Sequence, residues 1–295
     1  METLPIDSRV LQICRNPIFV IGSPRSGTTI SAVALSQHPD FWVSDETFFM
    51  HALFGVDGRV EREIDRLTSR PGGSWLRREK VSREEFLNYL GVGINALITS
   101  RSEGKRWIDH TPIHALMAEV LASMFPGAFF IHILRDGRRV VHSMVHLFDK
   151  LAEEKRENMR ARGQLPNWST NFRNACATWR KMTGSALDFC QKYPERGLTV
   201  RLEELERDPV EGFGGVLKFL QAEPLDAPSN YFESHRINSS FSKTVTVGDL
   251  VPDRVSEPWE TWTAEQKEIF AEEAGSALAS CGFVRTEEEL FQSYA

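Results

Sequence analysis

A short apolar stretch, Pro17–Ile21, runs directly into Gly22-Ser23-Pro24-Arg25-Ser26-Gly27-Thr28-Thr29. No other feature of the chain restricts its fold as much. The apolar run has the length of a strand, and the glycine that follows ends it. A second glycine, at Gly27, frees the backbone to enter the helix begun by Thr28-Thr29-Ile30. A loop of this shape turns successive N–H groups inward, backed by the positive end of the helix, and makes a cradle for anionic oxygens. Such loops belong to parallel sheets whose two faces are covered by helices.

The rest of the chain fits that frame. Ala128–Leu134 and Leu198–Leu202 read as buried strands, with shorter ones at Phe41–Ser44 and Arg106–Asp109. Between them Ile113, Leu116, Met117, Val120, Leu121 and Met124 recur at helical spacing. Ser82 opens another helix, and two more are predicted over Ser169–Gln191 and Ala264–Cys281, the latter ending at Gly282. The pattern predicts an α/β fold with a mostly parallel sheet of about five strands and helices on both faces. We read residues 1–295 as a single domain, with a charged segment at 150–168 placed as a flap and a cofactor-closing loop near 236–262.

Charge narrows the partners. With 35 basic and 41 acidic residues the formal net charge is −6, so the chain has no general attraction for nucleic acid or an anionic membrane, and any anion must be held locally. Its apolar runs fall far short of the ~20 residues a spanning helix needs, and residues 1–16 lack the apolar block of a signal peptide. Cys14, Cys176, Cys190 and Cys281 are scattered without metal-ligand spacing, which predicts a cytoplasmic protein with no metal.

The loop departs from that of a phosphate-binding NTPase in an informative way. There a lysine follows the second glycine and reaches the β- and γ-phosphates. Here Thr28 stands in its place and the cation is inside the loop, as Arg25. That smaller charge suits a phosphosulfate better than a triphosphate with magnesium. The segment Ile21–Thr29 resembles the 5′-phosphosulfate loop of the sulfotransferase family, and its PRSGTT form is closer to the tyrosylprotein and bacterial enzymes than to the lysine-bearing cytosolic ones. The resemblance implies a P-loop-type three-layer sandwich that uses 3′-phosphoadenosine-5′-phosphosulfate (PAPS) as co-substrate and releases PAP. In that reading Ser26, Gly27, Thr28 and Thr29 bind the 5′-phosphate, and Arg25 polarises the bridging oxygen of the leaving group.

A second anchor follows the strand Ala128–Leu134. Arg135, with Ser143 eight residues on, resembles the family's 3′-phosphate site, where an arginine fork and a hydroxyl hold a phosphate monoester. The plain alternative for Arg135 is an ion pair with Asp136 or a neighbour. Thr199–Pro209 is similar to a further strand-then-helix segment of the family, with Arg201 as a possible cofactor neighbour. In the late stretch that corresponds loosely to the closing loop, Ser239 and Lys243 are candidates for the 3′-phosphate or the bridging phosphate.

Transfer to a hydroxyl requires a base. The resemblance implies Glu46, because in tyrosylprotein sulfotransferases a Glu-Thr pair follows a His-Pro-Asp turn, and here His38-Pro39-Asp40 precedes Glu46-Thr47. Capping of the following helix is the plain reading of Asp45-Glu46. His110 is the second candidate. It stands where related proteins often carry lysine, so it acts either as the base when neutral or as the lysine's electrostatic substitute when protonated. The acceptor is a small-molecule, peptide or carrier-bound hydroxyl, shaped by residues 48–105 and the flap, with Phe48, Phe49, Phe54, Trp75 and Trp168 as its aromatic candidates. The rival readings are a P-loop kinase or NTPase and a catalytically silent nucleotide-binding protein.

Overall fold

The computed structural model describes residues 12–55, 59–69, 74–147, 157, 159, 161, 166–238, 243–246 and 257–292. Ser239, most of the segment expected to form a flap and much of the expected closing loop lie outside the described residues. The sheet has five strands, β1 (Ile18–Gly22), β2 (Phe41–Val43), β3 (Arg106–Asp109), β4 (Phe129–Leu134) and β5 (Gly197–Arg201). All neighbours are parallel, in the order β2-β3-β1-β4-β5. The strands match the sequence expectation to within a residue or two.

Every residue of β1 is buried, which explains why it reads as an unbroken apolar run rather than an alternating one. Ile18 and Val20 pack on one face with Ala32 and Leu35 of α1 (Thr28–Leu35) and with Phe213 and Leu217. Phe19 and Ile21 pack on the other, where Leu87, Leu121, Ala186 and Phe189 cover them. The Phe19 ring meets Trp107, Phe125 and Phe130 at centroid separations of 5.2–5.4 Å. Helices therefore cover both faces. Because β2 and β3 lie to one side of β1 and β4 and β5 to the other, a crevice opens beyond the carboxyl end of β1, the place where such sheets bind ligands.

Three helices begin or continue differently from their sequence periodicity. The stretch 113–124 splits into a 3₁₀ turn, Pro112–Met117, and a helix, Ala118–Met124. His114 in the turn is tied to Asp109 at the end of β3, and the backbone opens to φ −134° at Met117 before the α-helix starts. The helix expected from Ser169 starts at Phe172, because Asn171 caps it by accepting from the Asn174 amide at 2.8 Å. The C-terminal helix contains a π-turn, Ala271–Gly275, between Ala264–Phe270 and Ser276–Ser280. Ser82 and Gly282 take their expected capping places; the Ser82 hydroxyl accepts from Glu85, and Gly282 has φ +71°.

A third cluster ties the C-terminal segment to the helix Gly137–Val145, which follows β4. Asp136 caps that helix and pairs with Arg138 at 2.7 Å, both side chains fully buried. The Arg138 guanidinium lies 3.7 Å from the centre of the Trp259 ring and donates to the Leu290 carbonyl at 2.8 Å. Arg138→Leu is expected to destabilise the fold by about 3–5 kcal/mol, because it removes the countercharge from a buried carboxylate. Chemical denaturation measures this, and replacing both partners with apolar residues should cost less than the single change.

Candidate active site

The phosphate loop is held by its own polar groups. The Ser26 hydroxyl donates to the Ser23 carbonyl at 2.6 Å, and the Ser26 amide donates to the same oxygen at 3.2 Å. Gly27, the residue before α1, has φ +93°, and a β-carbon there would come within 2.9 Å of the Leu202 side chain. Both conformation and space therefore require glycine at this position. Arg25 is the less expected case: a non-glycine residue at φ +70°. Such a conformation costs free energy and persists where neighbours over-determine it. Here Arg135 Nη1 donates to the Arg25 carbonyl at 2.8 Å, and Arg25 Nε donates to the Ser143 hydroxyl at 3.1 Å.

The two anchors predicted separately thus form one constellation. Burial lowers the pKa of Arg25, and the Arg135 charge lowers it further. Burial lowers that of Arg135 as well, with the Glu206 and Glu203 carboxylates opposing. Both guanidinium groups nonetheless remain cations. Two partly desolvated positive groups beside a ring of amides form a receptor for a multiply charged anion. Asp136 is not the ion-pair partner of Arg135, because it spends its carboxylate on Arg138 and its amide on Glu203; the carboxylates that act most on Arg135 are Glu206 and Glu203.

Arg25, Gly27, Thr28, Thr29, Arg135, Glu46 and His110 line a single cleft of about 1380 Å³. Ser143 stands behind Arg25, and the Ser26 hydroxyl is turned into the loop. Arg201 is directed elsewhere; it donates to the Cys281 carbonyl and lies 4.6 Å from the Phe283 ring centre. Lys243 is described by its backbone alone, on β7 (Lys243–Thr246), which pairs with β6 (His235–Asn238) in a separate antiparallel ribbon. Of the aromatic candidates, Phe48 and Trp168 line the cleft, Phe54 is core, and Phe49 and Trp75 stay exposed on the surface.

Glu46 follows β2, and its Oε1 lies 3.9 Å from His110 Nδ1. It does not cap the helix Phe48–Phe54, whose capping position is Thr47. Burial raises the Glu46 carboxyl to about 7, with the Asp109 charge as the next cause and Asp45 adding to it, against an opposing contribution from His114. His110 is only 7 % exposed, and burial lowers its pKa despite the nearby Asp109 and Asp45 charges. Among the described residues its Nδ1 has no hydrogen-bond partner. The lowered pKa favours a neutral imidazole near neutral pH.

Behind this pair lies a network that the sequence reading passed over. Asp109, at the end of β3 and buried, accepts from His114 Nδ1 at 2.8 Å, from the Thr111 amide at 3.0 Å and from the Thr111 hydroxyl at 3.1 Å, and also from the Thr47 hydroxyl. The available signal was Asp109-His110-Thr111-Pro112 itself, a run of polar residues at a strand end.

Residues 17–226 match the sulfotransferase family, and the chain belongs to it. It is 26% identical over 219 residues to protein-tyrosine sulfotransferase 1 of Danio rerio, covering 73% of this chain and 56% of that protein. It is 27% identical over 212 residues to protein-tyrosine sulfotransferase 2 of Gallus gallus, covering 69% and 50%. The chain thus spans about half the length of these relatives. The fold is shared with mouse sulfotransferase SULT7A1 complexed with PAP (TM-score 0.51, 15% identity, 96% and 91% coverage). It is shared also with the sulfotransferase domain of a Synechococcus olefin synthase (TM-score 0.50, 18% identity, 92% and 98% coverage).

The cytoplasmic location expected from the cysteines is corrected by these relatives, which are protein-tyrosine sulfotransferases rather than members of the cytosolic class. All four cysteines are buried core residues, so their lack of pairing carries no information about compartment. Among the described residues no helix is long and apolar enough to cross a membrane.

Proposed function

We propose that this protein transfers a sulfuryl group from PAPS to an acceptor hydroxyl, with Glu46 as the general base. The observation that carries this reading is that Arg25 and Arg135 line the same cleft as Glu46 and His110, with Arg25 bonded to Ser143 and its carbonyl held by Arg135. The loop amides, Thr28 and Thr29 suit the 5′-phosphosulfate, and Arg135 with Ser143 suits a 3′-phosphate. Glu46 takes the acceptor proton as the acceptor oxygen bonds to sulfur. The bond from sulfur to the bridging oxygen breaks, and its electron pair leaves with PAP, held by Arg25. A carboxyl raised to about 7 is strong enough as a base to work near neutrality. His110, neutral and next to it, orients the hydroxyl or shares its proton.

The acceptor half of the cleft is lined by Phe48, Ile113, Leu116, Met182 and Trp168, with Lys181 among them. An aromatic alcohol fits such walls, and a peptide tyrosine is the first acceptor to test, given the relatives' names. Met159, Pro166 and Trp168 reach the cleft from 150–168, which supports reading that segment as a flap.

The kinase or NTPase reading lacks support, since Thr28 occupies the lysine's place and ATP has no 3′-phosphate to engage Arg135. Thermal unfolding separates the two. PAP at about a hundred times its Kd is expected to add about 2.7 kcal/mol of stability without magnesium. Stabilisation by ATP with magnesium but not by PAP would overturn the proposal. Transfer of labelled sulfuryl from PAPS to a panel of peptides, phenols and sugars then identifies the acceptor class.

A further inference from the structure

The network behind the base assigns a role to a residue that the reaction itself does not touch. Thr47 is the capping residue of the helix Phe48–Phe54, yet its side chain makes no capping hydrogen bond. A threonine in this position ordinarily stabilises a helix by about 1 kcal/mol through that bond. Here the hydroxyl donates to Asp109 instead, and the Thr47 amide donates to the Thr111 hydroxyl at 2.7 Å. The residue adjoining Glu46 is therefore fixed at both polar groups to the end of β3. Asp109 is the hub, because Thr47, Thr111 and His114 all donate to it while it is 1 % exposed. His110, whose Nδ1 lies 3.9 Å from Glu46, is the next residue along the chain from that hub.

We propose that Asp109, backed by His114, is a positioning residue that holds the Glu46–Thr47 turn against the end of β3 and fixes where the base stands in the cleft. The inference rests on the reading of Glu46 as the base. Asp109 has an electrostatic consequence as well. Burial is the main cause of the raised Glu46 carboxyl; the Asp109 and Asp45 carboxylates that face it add to the effect and His114 opposes them, with His110 adjacent. Asp109 thus adds to the effect of burial on the basicity of Glu46 while holding it in place.

The test uses the full chain, PAPS and a tyrosine-containing peptide, or whichever hydroxyl the acceptor panel returns. Thr47→Val removes the donor to Asp109 at nearly constant volume. It is expected to lower kcat by about ten- to a hundredfold, the cost of misplacing a reacting group, while KM for PAPS stays within about twofold. Thr47→Ser is expected to restore most of the rate. Asp109→Asn removes the charge, so the acid limb of the pH–rate profile should move to lower pH. A carboxyl-selective NMR titration of Glu46 in the PAP complex should move the same way, and this readout needs no turnover. Should Asp109→Asn fail to fold, the two Thr47 variants still decide. Wild-type kcat in Thr47→Val would overturn the proposal, as would a slow Asp109→Asn whose Glu46 titration does not move. If Glu46→Gln keeps full activity, the base reading itself fails, and that result is separate from both.

Discussion

Glu46→Gln is expected to lower kcat by about 10²–10⁴-fold while leaving PAP binding nearly unchanged. Glutamine keeps the shape of the side chain and its place beside His110, but it cannot accept the acceptor proton. In the unmodified protein, kcat/KM should fall about tenfold per pH unit below about 7. The sign follows from the role: a base works only when deprotonated, and burial together with the Asp109 charge raises the Glu46 carboxyl to about 7. His110 is displaced the other way by its burial, below its usual range, so a limb near 7 points to Glu46 rather than to the imidazole. Rates measured from pH 5 to 9 under saturating PAPS check both statements. A profile flat down to pH 5 would remove Glu46 from the chemistry, and His110→Ala would become the variant to measure.

The second large effect concerns the nucleotide. Arg135→Gln is expected to weaken PAP binding by about a hundredfold and to abolish most of its thermal shift. Each charged hydrogen bond contributes about 1.5–3 kcal/mol, and about 1.4 kcal/mol corresponds to a tenfold change. The effect exceeds that of a single contact because Arg135 also holds the Arg25 carbonyl, at 2.8 Å, in a loop whose φ at that residue is +70°. Without that bond the Arg25 guanidinium loses its aim. Arg201→Gln is the control. Its side chain donates to Cys281 at the C-terminal cap and should leave PAP affinity unchanged. Isothermal titration with PAP measures both, and wild-type affinity in Arg135→Gln would refute the assignment of the 3′-phosphate site.

What the sequence disclosed and what it withheld follow one physical distinction. The central strands were legible because a strand buried on both faces is a nearly continuous apolar run, as in Ile18–Gly22 and, broken only by His132, Phe129–Leu134. The loop was legible because glycine spacing and a helix start are local properties. Arg135 and Ser143 were visible as an arginine and a serine eight residues apart, but nothing in that spacing says that Ser143 would accept from Arg25, 118 residues away in sequence. The Asp109 hub was missed for the same reason. Its donors include Thr47, 62 residues distant, and the fold alone brings them together. His114 illustrates the converse. It sits within the stretch whose apolar residues, Ile113 to Met124, predicted a core helix, whereas its bond to Asp109 lies within a 3₁₀ turn. Arg201 looked like a neighbour of the nucleotide because Thr199–Pro209 resembles a segment of the family, yet Cys281 and Phe283 claim it.

The clasp formed by Asp136, Arg138, Trp259 and Leu290 limits how this protein can be cut and recombined. The family match ends at residue 226, and a chimera would naturally be joined there. Yet Arg138, three residues beyond the proposed 3′-phosphate arginine, is sandwiched against a tryptophan and a carbonyl that come from residues 259 and 290. Val140, Val141 and Met144 of the same helix lean on Trp262, Phe270 and Leu278 in one cluster. A graft that exchanged everything after 226 would therefore replace Tyr231 and Phe232 of the cleft wall and also strip the helix after Arg135 of its C-terminal support. The transplantable unit is longer than the family resemblance, and an exchange meant to change acceptor preference is better made at Phe48, Ile113 and Lys181, which line the cleft and lie before residue 226.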